Sequence, residues 1–189
     1  MLTTQTTDME PVSNPSNGFP GVGGTAPGIV AGIGVRNRVV GFAAEFSLPA
    51  RFETVQEMRH GIVEQIDNRY RDSILSALVI ARVAGGKVGL ELVGGVSFVD
   101  QSIVVRFADC GTQFNPQPCS AYSEDIERSA WTWGITFGGD VPVRVAARFA
   151  IVPQIRVHMV PSRGFFDNLP DLRVSSFVFR PAVAGRWTF

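Results

Sequence analysis

In residues 143–159, one set of alternate side chains is entirely apolar and the other set is half charged or ionisable. Every odd-numbered residue in this stretch is apolar, while the even-numbered residues include Arg144, Arg148, Arg156 and His158. Successive side chains of a β-strand point to opposite faces, so the pattern predicts one long strand that is apolar on one face and rich in arginine on the other. A sheet made of such strands must expose its two faces to very different surroundings.

The same period of two recurs through most of the chain and predicts seven strands in all. These strands cover residues 28–36, 40–48, 75–83, 88–99, 131–138, 143–159 and 176–189. The connections alternate between very short turns, at 36–38, 84–87 and 138–141, and long links, near 53–70, 107–127 and 161–171. In an up-and-down meander, this order places every short turn at one end of the sheet and every long loop at the other.

The apolar face is too aromatic and too continuous to fill a small barrel, and the other face mixes glycine and alanine with arginine, glutamate, serine and threonine. Small residues and ion pairs suit a narrow polar lumen, so we expect the apolar face to contact lipid. A sheet in hydrocarbon must close on itself because lipid offers no partner for an open edge. The prediction is an all-β, antiparallel, up-and-down membrane β-barrel, with seven strands visible of an expected eight. The alternative is a soluble lipocalin-like carrier of apolar ligands, with an apolar interior.

Composition excludes several other classes of protein. The chain contains 17 basic and 17 acidic residues, so no net charge favours nucleic acid as a partner. Its most apolar run, residues 74–83, is interrupted by Arg82 and is far shorter than the roughly 20 residues of a transmembrane helix. Residues 1–24 contain no basic segment followed by an apolar core, so no signal peptide is visible there.

The chain ends in "RWTF", in which Trp187 and Phe189 continue an alternating aromatic pattern. This ending is similar to the C-terminal assembly signal of outer-membrane proteins. With the meander, residues 28–189 resemble the small eight-stranded outer-membrane β-barrel family, which includes the OmpA transmembrane domain and its OmpX-like relatives. The resemblance implies a bacterial outer-membrane location, with outer-membrane lipid and the barrel-assembly machinery as partners and the external partner unknown. It also places the chain end and the short turns in the periplasm, with Trp187, Phe189 and Phe137 in the periplasmic aromatic girdle and Trp131 near the outer one.

An eight-stranded barrel needs one strand more than the pattern shows. If the turn at 36–38 is periplasmic, residues 28–36 form the second strand, and the first strand and a signal peptide are expected upstream of Met1. Residues 1–26 are then a flexible N-terminal segment, the remnant of the first outer loop, and residues 27–189 are the barrel domain. The alternative is an irregular first strand at residues 17–26.

The inward face predicts a network of ion pairs. An eight-stranded barrel is just wide enough for side chains to fill it, and a buried charge has to be paired. The predicted network consists of Glu45, Glu91, Arg82, Arg144, Arg148, Arg156 and Arg180, and the same face carries His158 and Arg186. A plugged lumen of this kind indicates a structural or surface-interaction protein. The alternative is a small-solute channel that favours anions.

Two cysteines, Cys110 and Cys119, have eight residues between them in a segment rich in turn formers. In an oxidising compartment this spacing predicts one disulfide in an outer loop, and two free thiols are the alternative. Without a nearby histidine, the two cysteines supply too few ligands for a metal site. The sequence predicts no metal site and no cofactor.

No catalytic site is predicted either. His60 falls in a predicted outer loop, and His158 precedes Ser162 by four residues, about 13 Å along an extended chain. A serine–histidine pair needs hydrogen-bond contact and an orienting acid, which this spacing does not provide. We therefore expect a protein that is not an enzyme.

Overall fold

The computed structural model describes residues 2–7, 24–49, 52–60, 62–112, 114–122, 126–161 and 177–189. All regular elements among them are strands. They are β1 (Leu2–Thr7), β2 (Gly24–Arg36), β3 (Val40–Pro49), β4 (Phe52–His60), β5 (Ile62–Ala84), β6 (Leu90–Thr112), β7 (Asn115–Pro116), β8 (Ile126–Asp140), β9 (Val143–Ala146), β10 (Phe149–Met159) and β11 (Phe177–Trp187). Within these ranges no helix is long and apolar enough to cross a bilayer.

Eight of the strands form a closed ring in the order β1, β2, β3, β5, β6, β8, β10 and β11. Each strand is antiparallel to the next, and β11 returns to pair with β1. Because the ring follows the order of the chain, with only the short or peripheral β4, β7 and β9 outside it, the barrel is an up-and-down meander. The predicted all-β antiparallel fold is confirmed.

The eighth strand comes from a part of the chain that the sequence pattern did not mark. β1 fills the position between β2 and β11, with Leu2 opposite both Ile29 and Val183. The position predicted for a strand upstream of Met1 is therefore occupied by Leu2–Thr7, and residues 17–23 of the alternative at 17–26 lie outside the described residues. The sequence LTTQTT has the β-branched residues that favour a strand but lacks apolar alternation. A signal peptide upstream of Met1 stays a prediction.

The third short turn also lies elsewhere than expected. β9 pairs back on β10, with Val143 opposite Ile151, so the chain reverses at residues 147–148 rather than at 138–141. The amide of Val141 donates to the Pro153 carbonyl at 2.9 Å. β9 thus continues the position of β8 beyond a short break, and the predicted single strand at 143–159 is in fact a hairpin.

At the opposite end, two predicted loops contain strands. β4 and the first part of β5 form a hairpin over residues 52–70, and β6 runs on to Thr112. Phe52 and Tyr70 are buried in this extension, with ring centroids 6.1 Å apart. Burial, strengthened by the charge of Asp72, raises the pKa of Tyr70 above its usual range, so the phenol stays neutral. The long-loop end is therefore a continuation of the sheet, which we call the outer extension (residues 52–73 and 99–116).

The outside of the ring is a continuous apolar band. Its exposed side chains include Ile33, Phe42, Phe46, Leu75, Val79, Leu92, Phe98, Trp133, Ile135, Phe137, Ile155 and Phe179. The inward residues of the same strands include charged and hydroxyl side chains that are almost completely buried. This arrangement is that of a membrane β-barrel. The lipocalin-like alternative does not fit, because it requires an apolar interior and a polar exterior.

Candidate functional site in the barrel interior

The interior at the short-turn end is organised around Glu91 on β6. Its carboxylate is 1% exposed and contacts three guanidinium groups. Arg36 lies at 2.8 Å, Arg186 at 2.6 Å and Arg82 at 3.5 Å. The three arginines come from β2, β5 and β11, so one carboxylate links strands on different sides of the ring.

Asp140 and Glu45 extend this cluster along the barrel. Arg186 also contacts Asp140 at 2.7 Å, and Arg156 contacts Asp140 at 2.5 Å and Glu45 at 2.7 Å. Glu45 in turn contacts Arg180 at 3.0 Å. The result is one connected series of alternating charges, which we call the ion network. Its members are Arg36, Arg82, Glu91, Arg186, Asp140, Arg156, Glu45 and Arg180.

Glycines on the inward face make room for the ion network. A Cβ added to Gly138 would collide with the carbonyl oxygen of Ile155 and lie 3.2 Å from the Cα of Arg156. The next residue, Gly139, points away from the interior, and a Cβ there would meet only the Glu91 carbonyl oxygen, at 3.6 Å. Close strand contact at Gly138 therefore depends on the missing side chain.

We expect Gly138→Ala to destabilise the barrel by about 1–3 kcal/mol, because the added methyl group forces β8 away from β10. Gly139→Ala is the matched control and should change stability by less than about 0.5 kcal/mol. Urea unfolding of both variants in lipid vesicles measures the difference. Equal stability of the two variants would show that β8 and β10 do not approach each other as closely as described.

A layer of hydroxyl groups and one histidine lies beyond the ion network. The Oγ atoms of Ser76 and Ser97 are 2.6 Å apart, and Thr136 Oγ1 lies 2.7 Å from His158 Nδ1. Ser97 also contacts Thr136 and lies 3.3 Å from His158 Nδ1. All four side chains are buried. His158 is therefore part of a buried hydrogen-bonded layer, whereas Ser162, the other residue weighed for catalysis, falls outside the described residues.

A layer of apolar side chains follows, towards the outer extension. Ile74, Val99, Val160 and Val178 form one buried cluster. None of the four is more than 3% exposed. The order of residues along β5, β6, β10 and β11 therefore takes the interior from charged to hydroxyl-bearing to apolar side chains. Arg36, Arg82 and Arg186 keep 25–31% of their side-chain surface exposed at the short-turn end, whereas the hydroxyl-bearing and apolar layers are buried.

The structure brings most of the predicted ion-pair residues together. Glu45, Glu91, Arg82, Arg156 and Arg180 all belong to the ion network. Two positions differ from the prediction.

Arg144 and Arg148 are exposed at the β9–β10 hairpin. The chain reverses there, at the short-turn end, so neither residue lies in the buried interior. Asp140 and Arg36 were missed as members of the ion network. Asp140 continues the inward series of Thr136 and Gly138, so extending the alternation by one step would have found it. Arg36 ends the inward series of β2 in the same way.

The two cysteines and the aromatic chain end lie outside the interior. Cys110 and Cys119 form a disulfide, with Cα atoms 3.9 Å apart, at the far end of the outer extension. Trp187 and Phe189 are exposed at the short-turn end, where the Trp187 ring packs 6.2 Å from Phe149. Their role as an assembly signal stays a prediction. Within the described residues, no group of three or more histidine, cysteine, aspartate or glutamate side chains could hold a metal ion.

Several solved structures are similar to this chain. Ail, the attachment invasion locus protein of Yersinia pestis, is 12% identical with a TM-score of 0.46, over 100% of this chain and 95% of that chain. Neisserial surface protein A is 12% identical with a TM-score of 0.42, over 100% and 94%. CarO of Acinetobacter baumannii is 7% identical with a TM-score of 0.40, over 98% and 97%. No protein-family model and no curated protein matches the sequence. Because these identities and TM-scores are low, the fold rests on the strand pairings of the chain itself.

Proposed function

We propose that this chain, which folds as a small eight-stranded membrane β-barrel, is a bacterial outer-membrane protein with a closed interior that acts through its surface. The observation that carries the proposal is the sequence of interior layers. The ion network, the hydroxyl–histidine layer and the apolar layer follow one another along the barrel axis. A solute passing through would meet all three.

Each layer opposes passage for its own physical reason. Arg156 and Arg180 are fully buried, and separating either from its carboxylate would leave a buried charge without compensation. The apolar cluster around Val178 offers no hydrogen bond to a hydrated ion, so an ion entering it would have to lose solvation. Together these features support a rigid barrel that presents its outer extension, with the external partner still to be identified.

The outer membrane is the proposed location because the described topology has the features of barrels from that membrane. The turns at 37–39, 85–89 and 147–148 are short and share one end, while β5 and β6 extend far beyond the apolar band at the other. The exposed Trp187 and Phe189 at the short-turn end support recognition by the barrel-assembly machinery. The band itself supports contact with outer-membrane lipid.

A small-solute channel is the second candidate, and one observation favours it. Several buried polar atoms in the interior, among them Ser47 Oγ, His158 Nε2 and Arg180 Nη1, have no hydrogen-bond partner among the described residues. Buried polar groups of this kind commonly bind internal water. A chain of such waters beside Arg180 would favour the passage of small anions.

Conductance across planar lipid bilayers separates the two candidates. We expect the unmodified protein to give no discrete conductance, because the three layers are closed. The double variant V178G/R180A removes two fully buried inward side chains of β11 and should produce a small conductance. The control F177A/F179A truncates the neighbouring lipid-facing side chains and should give no conductance. A discrete, anion-selective conductance of the unmodified protein would support the channel and contradict a closed interior.

A further inference from the structure

The short-turn end of the barrel carries a ring of exposed basic side chains. Arg38 lies in the turn at 37–39, Lys87 in the turn at 85–89, Arg144 in β9 and Arg148 in the turn at 147–148. All four are exposed, and none belongs to the ion network. We call these four residues the basic rim. Because each of the three short turns contributes at least one cation, the positive charge is spread around the barrel rather than confined to one side.

The carboxylates at this end do not balance the basic rim. Glu91 and Asp140 are the acidic side chains of the described residues there, and both are buried and paired within the ion network. At the opposite end, exposed acids such as Glu53, Asp109 and Glu127 are mixed with arginines. The formal net charge of zero for the whole chain therefore conceals a strongly positive surface at the short-turn end.

Each cation of the basic rim is followed directly by an apolar residue. Val39 follows Arg38, Val88 follows Lys87 and Val145 follows Arg144, and all three valines are exposed. Phe149, which follows Arg148, is half-exposed and packs on Trp187. Alternating cations and apolar side chains at the edge of an apolar band fit the boundary between hydrocarbon and lipid headgroups, where each kind of group finds its own surroundings.

We propose that the basic rim binds anionic phospholipid headgroups in the leaflet at the short-turn end. The proposal rests on the proposed membrane location and adds the lipid class that this end selects. Guanidinium and ammonium groups form charge-assisted hydrogen bonds with phosphate, and basic residues at a membrane surface attract anionic lipid. The exposed valines favour a lipid surface over a soluble anionic polymer, because a fully hydrated partner would leave them in water.

Trp187 is a built-in reporter for this proposal. The amide of Thr188 donates to the Arg148 carbonyl at 2.9 Å, so the indole lies beside one member of the basic rim. The other two tryptophans, Trp131 and Trp133, lie towards the outer end of β8. A W131F/W133F protein therefore emits from the short-turn end alone. Brominated lipids quench only nearby tryptophans, so quenching measures which lipid sits next to the rim.

The experiment compares quenching by brominated phosphatidylglycerol and brominated phosphatidylcholine in mixed vesicles of these two lipids. We expect an enrichment of phosphatidylglycerol at Trp187 of about fivefold, falling as salt is added. The variant R38Q/K87Q/R144Q/R148Q should lose this preference while keeping the heat-modifiable gel mobility of a folded barrel. The control R71Q/R128Q removes two cations from the opposite end and should keep the preference.

The possible failures point to different causes. Equal quenching by the two lipids would overturn headgroup selection but leave the membrane location intact. An absence of quenching by either lipid would overturn both. If inorganic phosphate abolished the preference while chloride at the same ionic strength did not, the rim would bind free phosphate, and the phospholipid proposal would be wrong.

Discussion

Replacing Arg156 by methionine is expected to lower the free energy of unfolding by about 3 kcal/mol. The guanidinium group is fully buried and joins Glu45 to Asp140, at 2.7 and 2.5 Å. Its loss removes the link between the two halves of the ion network and leaves buried carboxylates with fewer counter-charges. The loss of stability is expected at the lower end of the range for a broken buried ion pair, because Glu45 still contacts Arg180 and Asp140 still contacts Arg186.

Urea unfolding in phosphatidylcholine vesicles, which lack the anionic lipid proposed for the basic rim, measures this loss by tryptophan fluorescence and by heat-modifiable gel mobility. Arg148→Met is the matched control, because Arg148 has the same side chain but is exposed at a turn. It should change stability by less than about 0.5 kcal/mol. Similar losses in both variants would place Arg148 in the interior, as the alternation of residues 143–159 had suggested, and would contradict the β9–β10 hairpin.

Replacing Ile135 by arginine is expected to cost about 2–4 kcal/mol of folding stability in a lipid bilayer. Ile135 is 54% exposed and lies in the apolar band on β8, between Trp133 and Phe137. An arginine there must place its charge in hydrocarbon or reach several residues along the strand to water. The folded fraction in vesicles of increasing urea concentration gives the cost.

Ser129→Arg tests the same strand face outside the apolar band. Ser129 is exposed and lies towards the outer end of β8, beyond Trp131. Its substitution should cost no more than about 1 kcal/mol, because the penalty for a charge falls steeply towards the interface. If Ile135→Arg were as mild as Ser129→Arg and both proteins stayed monomeric without detergent, the apolar band would not be in contact with lipid.

The strand faces could be predicted because alternation reports burial directly. On β3 and β10 the pattern assigned Glu45 and Arg156 to the same interior before any pairing was known, and these two side chains are in contact. Closure of the barrel explains why such distant positions meet. A sheet in lipid has to close into a barrel, because its edges would otherwise lack hydrogen-bond partners, and closure brings the inward faces of all its strands together.

The position of the turn at 147–148 could not be predicted from alternation. Residues that are opposite each other in a hairpin share a face. The register shift between Phe149 and Ala150 places Val143 opposite Ile151, two odd-numbered residues, so the period of two has the same phase on both sides of the turn. The short break at residues 141–142, by contrast, looks like a turn because it contains Pro142 and follows Gly138 and Gly139. Asp140 was left out of the predicted ion network because it had been assigned to that turn.

β1 could not be predicted because it lacks alternation, whereas the turn at 147–148 was missed because alternation continues through it. Its sequence, LTTQTT, has no apolar face to mark it, yet it occupies a position that the ring cannot leave open. The requirement for an even number of strands predicted that a strand was missing, but not which residues supply it. Pairing with β2 and β11, rather than periodicity, places Leu2–Thr7 in the sheet.

The outer extension differs from the ring below it in one topological respect. In the membrane every strand has two neighbours, but in the extension the described sheet stops at β4 on one side and at β7 on the other. β5 carries this open part on the order of 40 Å beyond Leu75 along the strand. Backbone amides and carbonyls along such borders are the groups with which an added strand forms its hydrogen bonds. Among the described residues, the backbone is thus fully paired around the ring, while the two borders of the outer extension present the kind of backbone groups to which an added strand would pair.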